Sequence, residues 1–116
     1  MSKRYAGLIV FFASLFVYLK TLCPIVYVGD SGELSVAALK LGIAHPPGYP
    51  VYCILSNFFS IIPFGTPAFK INFATAVFSS CAVIIMYFLI IECLCIATKN
   101  FQTGYIFAGI SGALCF

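Results

Sequence analysis

From Ile71 to Ile91 the chain carries no Asp, Glu, Lys, Arg or His. An apolar run of about twenty residues is what a helix needs to cross the roughly 30 Å hydrocarbon core of a bilayer. A soluble domain could bury such a run only beneath a charged shell, and the shell is missing. Charged residues make up 8% of the sequence and hydrophobic residues 63%, against about a quarter charged in ordinary soluble domains. Lipid is the solvent that fits, and in lipid a helix satisfies its backbone donors and acceptors within one segment. The fold class read from the sequence is therefore all-α and integral to the membrane. The 6 basic residues are spread singly apart from Lys3-Arg4, so there is no basic face for nucleic acid.

Three further apolar stretches follow from the same criterion. Lys3-Arg4 precede a run from Tyr5 to Leu19, which Lys20 extends by snorkelling to a span of about 5–23. Pro24 and the bulky Ile25-Val26-Tyr27 stand where a small-residue cleavage site would be, so the run reads as an uncleaved signal anchor. Val51 to Ile62 is short, and a second span over about 48–62 requires part of the preceding proline-rich elbow or a packing-imposed tilt. Pro63 to Pro67 turns around Gly65. The third span, about 71–92, ends at Glu92, with Thr98-Lys99-Asn100 as an interfacial stop. A fourth apolar run, about 104–116, contains Ala108-x-x-x-Gly112 and Gly109-x-x-x-Ala113, small-residue pairs that permit close helix approach. Half a helix cannot satisfy its backbone across a membrane. The expectation is three complete spans and a truncated fourth, the N-terminal part of a larger multi-spanning protein. The N-terminal basic pair favours a cytosolic N-terminus. Alternating spans then place Lys70 inside, with Lys20, Lys40 and Lys99 outside. The 6 cysteines lie mostly in apolar stretches, without zinc-site spacing, and read as small buried hydrophobes.

The least lipid-like part is the loop 24–47, expected on the lumenal or extracellular side. Within it, Leu34, Ala37, Ala38 and Leu41 fall on one helical face, and Gly42 suits a left-handed C-cap. At about ten residues this helix covers about 15 Å, too short to span, so it is expected to lie along the interface. The segment from Ala44 to Pro50 is then a stiff, non-helical elbow. Two of the 3 acids and the single histidine sit in this region. Asp30 and Glu33 share a helical face. They read first as a capping box at a helix start, and compatibly with it as a general base whose partial desolvation matches it to a hydroxyl proton. His45 reads first as a structural hydrogen-bonding group, with a ligand or a proton carrier as the alternatives. Glu92 reads as interfacial.

Gly29-Asp30-Ser31-Gly32-Glu33-Leu34, followed by Leu41-Gly42-Ile43-Ala44-His45-Pro46-Pro47-Gly48-Tyr49-Pro50, resembles the opening of the transmembrane protein 260 family, and the likeness extends through Phe69-Lys70-Ile71-Asn72. These are protein O-mannosyltransferases of glycosyltransferase family 117. The resemblance implies the multi-spanning GT-C fold and an endoplasmic reticulum membrane location. It further implies transfer of mannose from a polyprenyl (dolichyl) phosphate to Ser or Thr of secretory-pathway or membrane proteins. It maps the expected catalytic base onto Asp30. Glu33 and His45 are then candidate substrate-binding residues, for acceptor or sugar hydroxyls and for the donor phosphate respectively. No metal or other cofactor is expected, the lipid-linked sugar being a substrate. The implied mechanism is an inverting displacement in which Asp30 deprotonates the hydroxyl that attacks C1 as the lipid phosphate leaves. This piece by itself is expected not to turn over. Two rival readings are a transporter subunit, with Asp30 or Glu92 at mid-membrane depth, and a non-catalytic assembly protein recruiting partners through its last helix.

Overall fold

The computed structural model describes residues 3–98 and 104–115. Its elements are α1 (Lys3–Thr21), α2 (Ser31–Lys40), α3 (Pro50–Phe58, continued by a 3-10 turn Phe59–Ile61), α4 (Pro67–Thr98) and α5 (Gly104–Leu114). No strand occurs among the described residues. The chain divides into two compact units, one of residues 1–18 and 78–116, the other of residues 19–77.

In the first unit the core consists of Ala6, Val10, Val83, Tyr87, Ile91, Ile106 and Ala113. The α1 residues that are buried, Ala6, Gly7, Val10 and Ser14, recur at helical spacing, and the small ones let the Tyr87 and Phe88 rings come close. A Cβ placed on Gly7 would lie 2.8 Å from Phe88 Cζ. The Tyr87 hydroxyl donates to the Lys3 carbonyl at 3.1 Å, and Lys3 Nζ meets Glu92 Oε1 at 3.1 Å. The start of α1 thus faces the later part of α4, and the two run antiparallel. Of the two expected small-residue pairs of the last helix, Gly109 with Ala113 is the buried one. Gly109 and Ala113 are buried, and Gly109 abuts Tyr87 and Ile91 as Gly112 abuts Ile90.

In the second unit α2 packs on α3 through Ala37, Ala38, Ala44, Cys53 and Ile71. Asn57 Nδ2 donates to the Ala38 and Leu39 carbonyls at 2.9 and 3.2 Å, capping free acceptors at the end of α2. The Thr66 hydroxyl accepts the Phe69 amide at 3.1 Å, an N-cap for α4 ahead of Pro67. It also donates to the Pro24 carbonyl at 2.7 Å. Asn72 Nδ2 donates to the Cys23 and Ile25 carbonyls at 2.9 and 3.2 Å. The segment between α1 and α4 therefore begins and ends at one place.

Several expectations change. Among the described residues two helices, α1 of 19 residues and α4 of 32, are long and apolar enough to cross a membrane. The expected second span, 48–62, is the short run Pro50–Ile61. As a helix closed by a 3-10 turn it covers roughly 20 Å, below the hydrocarbon thickness. Because Asn72 reaches back to Cys23 and Ile25, the Lys70 end of α4 sits beside the Lys20 end of α1, not opposite it as alternating spans required. α4 also runs through Glu92, where the third span was expected to end, to Thr98, the first residue of the expected stop. The Glu92 carboxylate is paired with Lys3, and no Gly or Pro intervenes before Gly104. Lys99 and Asn100 of that stop, and Phe116 of the last run, lie outside the described residues. At the end of α2 the left-handed residue is Leu41 (φ 51°), not Gly42, whose amide instead closes on the Ala37 carbonyl at 2.8 Å. Leu41 is consequently exposed and leaves the predicted apolar face. The cysteines are all free, but Cys53 alone is buried, while Cys81 and Cys93 are exposed on α4 and Cys115 is exposed just past α5.

Candidate functional site

The site is built on the first turn of α2 and the elbow that follows it. Asp30 occupies the N-cap position, and its carbonyl accepts the Leu34 amide at 2.9 Å. Its carboxylate makes no capping bond. Glu33, one turn on, also departs from the capping-box expectation. Its carboxylate reaches across the chain, Oε1 accepting the His45 backbone amide at 2.6 Å and Oε2 lying 3.1 Å from His45 Nδ1. The other ring nitrogen, Nε2, is 3.8 Å from Asp30 Oδ2. All three sequence-selected residues are thus brought together, with the imidazole between two carboxylates.

The elbow holds the histidine in this position. The Gly48 amide bonds the His45 carbonyl at 2.8 Å, the Pro46-Pro47 peptide is cis, and Gly48 and Tyr49 both take positive φ (86° and 45°). Glycine tolerates that backbone without cost, and Tyr49 is the less usual occupant. The Tyr49 ring stands edge-on to the imidazole at 5.7 Å. Pro50 then opens α3, where its fixed φ and missing N–H suit the first turn.

The hydrogen bond from the His45 amide, then that from its ring, hold the Glu33 carboxyl below the usual carboxylate range. Asp30 and Glu33 side chains are 68% and 49% exposed and His45 37%, so the site is open to solvent and to a hydroxyl-bearing substrate. A groove of about 430 Å³ runs beside Glu33, between Val36, Lys40 and Ile43. Among the described residues no three or more of His, Cys, Asp and Glu are arranged to hold a metal ion. The arrangement can accept a proton at Asp30, hold one at His45 and offer carboxylate oxygens to hydroxyl donors.

Sequence reasoning passed over the residues that hold this loop to its supports: Asn57, Thr66 and Asn72. Their signal was polarity out of place, an amide or hydroxyl in or beside an apolar helix, where a buried polar group must find a partner. Asn72 entered only as part of a motif.

The family model "Protein O-mannosyl-transferase TMEM260 N-terminal domain" matches residues 30–116, beginning at Asp30 itself. The chain belongs to this family. A mouse protein named Protein O-mannosyl-transferase TMEM260 is 41% identical over 61 residues, covering 52% of this chain and 9% of its own length. A Dictyostelium discoideum protein named Protein O-mannosyl-transferase tmem260 is 43% identical over 82 residues, covering 68% of this chain and 10% of its own length. The chain therefore corresponds to about a tenth of the curated relatives it matches. No solved structure matches it.

Proposed function

We propose that this chain is the N-terminal part of a GT-C-type, multi-pass protein O-mannosyltransferase of the endoplasmic reticulum membrane. The enzyme transfers mannose from a polyprenyl (dolichyl) phosphate to Ser or Thr of secretory-pathway or membrane proteins. The observation that carries the reading is the convergence of Asp30, Glu33 and His45 within the segment that the mannosyltransferase family model matches. Asp30 is the base: it is exposed, free of capping duty and able to approach an incoming hydroxyl. As it takes the proton, the hydroxyl oxygen bonds C1 of the mannose and the C1–O bond to phosphate breaks. The electron pair leaves with the phosphate, inverting the anomeric centre. Phosphate departs as a stable anion, so a single base suffices, and such catalysis contributes about 10²–10⁴-fold.

In the same reading α1 and α4 cross the membrane antiparallel and the intervening segment, with the site, lies on the lumenal face. The ties from Thr66 and Asn72 back to residues 23–25 support that placement, as does the basic Lys3-Arg4 pair for a cytosolic N-terminus. In the full-length protein, Asp30→Asn should abolish mannose transfer at unchanged expression. Near-normal transfer by that variant removes Asp30 from the role. Membrane-impermeant labelling of a cysteine at position 30 from the lumenal side supports the placement, whereas protection at mid-membrane depth favours a transport pathway.

A further inference from the structure

The orientation of His45 is dictated by what Glu33 can and cannot do. A carboxylate only accepts hydrogen bonds. Oε1 is taken by the His45 amide at 2.6 Å, and Oε2 faces Nδ1 at 3.1 Å. A neutral imidazole carries one ring hydrogen, and two lone pairs facing each other at that distance repel. The hydrogen therefore sits on Nδ1, and Nε2 presents a lone pair toward Asp30 Oδ2, 3.8 Å away. That gap exceeds a hydrogen bond, and Asp30, which is exposed and makes no cap bond, has the freedom to close it by rotating its side chain. The groups facing the ring are Asp30 and Glu33 from the start of α2, and Tyr49 from the elbow.

We propose that Glu33 is a positioning residue acting through His45: it fixes the Nδ1–H form so that Nε2 clears the proton that Asp30 takes from the acceptor hydroxyl. This inference rests on Asp30 being the base. After transfer Asp30 is a neutral carboxylic acid, and a second turnover needs it ionised. The Asp30 O–H bond breaks, an Nε2–H bond forms, and the result is an imidazolium between two carboxylates. Its charge is balanced on the Nδ1 side by Glu33, and its half-exposed edge passes the proton to water. No oxidant, metal or further reactant enters. Glu33 and His45 then act as parts of one proton path, and neither has to bind sugar or phosphate.

The decisive variant is Glu33→Gln. The His45 backbone amide can only donate, so the glutamine carbonyl must accept it, leaving the glutamine NH2 facing Nδ1. Nδ1 must then be the acceptor, and the ring hydrogen moves to Nε2, where it points at Asp30 and blocks proton uptake. Glu33→Asp keeps an acceptor and the original tautomer. The sequence holds 1 histidine, so the 15N-histidine-labelled chain in lipid nanodiscs gives one imidazole, whose nitrogen shifts above its titration range report the tautomer. The expected result is Nδ1–H in the wild type and Glu33→Asp, and Nε2–H in Glu33→Gln. An Nε2–H wild type, or the same tautomer in wild type and Glu33→Gln, overturns the proposal without reference to activity. In the full-length enzyme Glu33→Gln should lower kcat by up to about 10²-fold with the acceptor KM unchanged, and Glu33→Asp should restore most of it. A Glu33→Gln loss confined to KM also overturns it. Normal transfer by Asp30→Asn would instead remove the base reading, leaving the tautomer result to stand as a loop contact.

Discussion

Asn72 offers a test of how the loop is fastened. Its Nδ2 donates to the Cys23 and Ile25 carbonyls at 2.9 and 3.2 Å, the first part-buried and the second exposed. An intramolecular hydrogen bond contributes a net of about 0.5–1.5 kcal/mol, and least where water can replace the partner. Removing both donors by Asn72→Leu should therefore cost about 1–2 kcal/mol, nearer the lower end for the bond at Ile25. Asn72→Asp has the same shape but sets a carboxylate oxygen where Nδ2 stood, facing both carbonyl oxygens, so it should cost more. Cys23 is half-buried and free, and it sits at the tie itself. With the other cysteines except Cys95 replaced, alkylation of Cys23 in nanodiscs measures local opening when closing is fast. A loss of 1–2 kcal/mol corresponds to labelling roughly 5–30-fold faster. Cys95, in the other unit, should label at its wild-type rate. Asn72→Asp labelling at the wild-type rate, or slower than Asn72→Leu, would refute the reasoning.

Asp30→Asn should leave the thermal stability of the chain within about 0.5 kcal/mol of wild type, because the side chain makes no cap bond; a loss of 1 kcal/mol or more by denaturation means that the acid caps after all. Glu33 has its folded pKa lowered by the His45 contacts. Its contribution is therefore present above the ordinary carboxylate value and lost as pH falls through the lowered one. The His45 amide resonance should inflect below the ordinary glutamate value, and an inflection at or above that value contradicts the contact. Gly7→Leu forces side-chain atoms into the Phe88 and Tyr87 rings, whose nearest atoms already stand 2.8 and 3.2 Å from a Cβ. Overpacking should cost about 1–3 kcal/mol in thermal unfolding, against little change for the exposed Leu8→Ala. A glycosylation acceptor inserted at Gly65 should be modified in microsomes together with one placed at Gly29; modification of only one breaks the same-side placement.

The long uncharged run and the Asp30–Glu33–His45 grouping were legible because they rest on local rules: hydropathy over a span, and rare residue types gathered in one polar segment. The role of Glu33 was not. Spacing within α2 puts it three residues from Asp30, which favours a capping box, while its actual partner lies twelve residues on, beyond the left-handed reversal at Leu41 that ends α2. Helix ends misled in the same way. Gly42 has the chemistry of a left-handed cap, yet Leu41 takes that conformation, because Ala37 and Ala38 anchor the helix one residue earlier against Cys53 and Ile71. Hydropathy over Val51–Ile62 looks like part of a span, since apolarity alone does not distinguish a helix that crosses from one that returns. The bonds of Thr66 and Asn72 back to residues 23–25 are the observation that bears on which it is.

The antiparallel pairing of α1 with α4 bears on how the chain is made. Lys3 and its partner Tyr87 are 84 residues apart in sequence, so at the ribosomal rate of about 5–20 residues per second α1 waits roughly 4–17 s for its neighbour. During that interval its inward face is Ala6, Gly7, Val10 and Ser14. The one hydroxyl among them is already bonded within the helix, to the Phe11 carbonyl at 2.9 Å. A face so small and so fully satisfied can be stored in lipid without a chaperoning partner. The α2–α3 pairing joins residues less than twenty apart, so the site can take shape while the first helix is still alone.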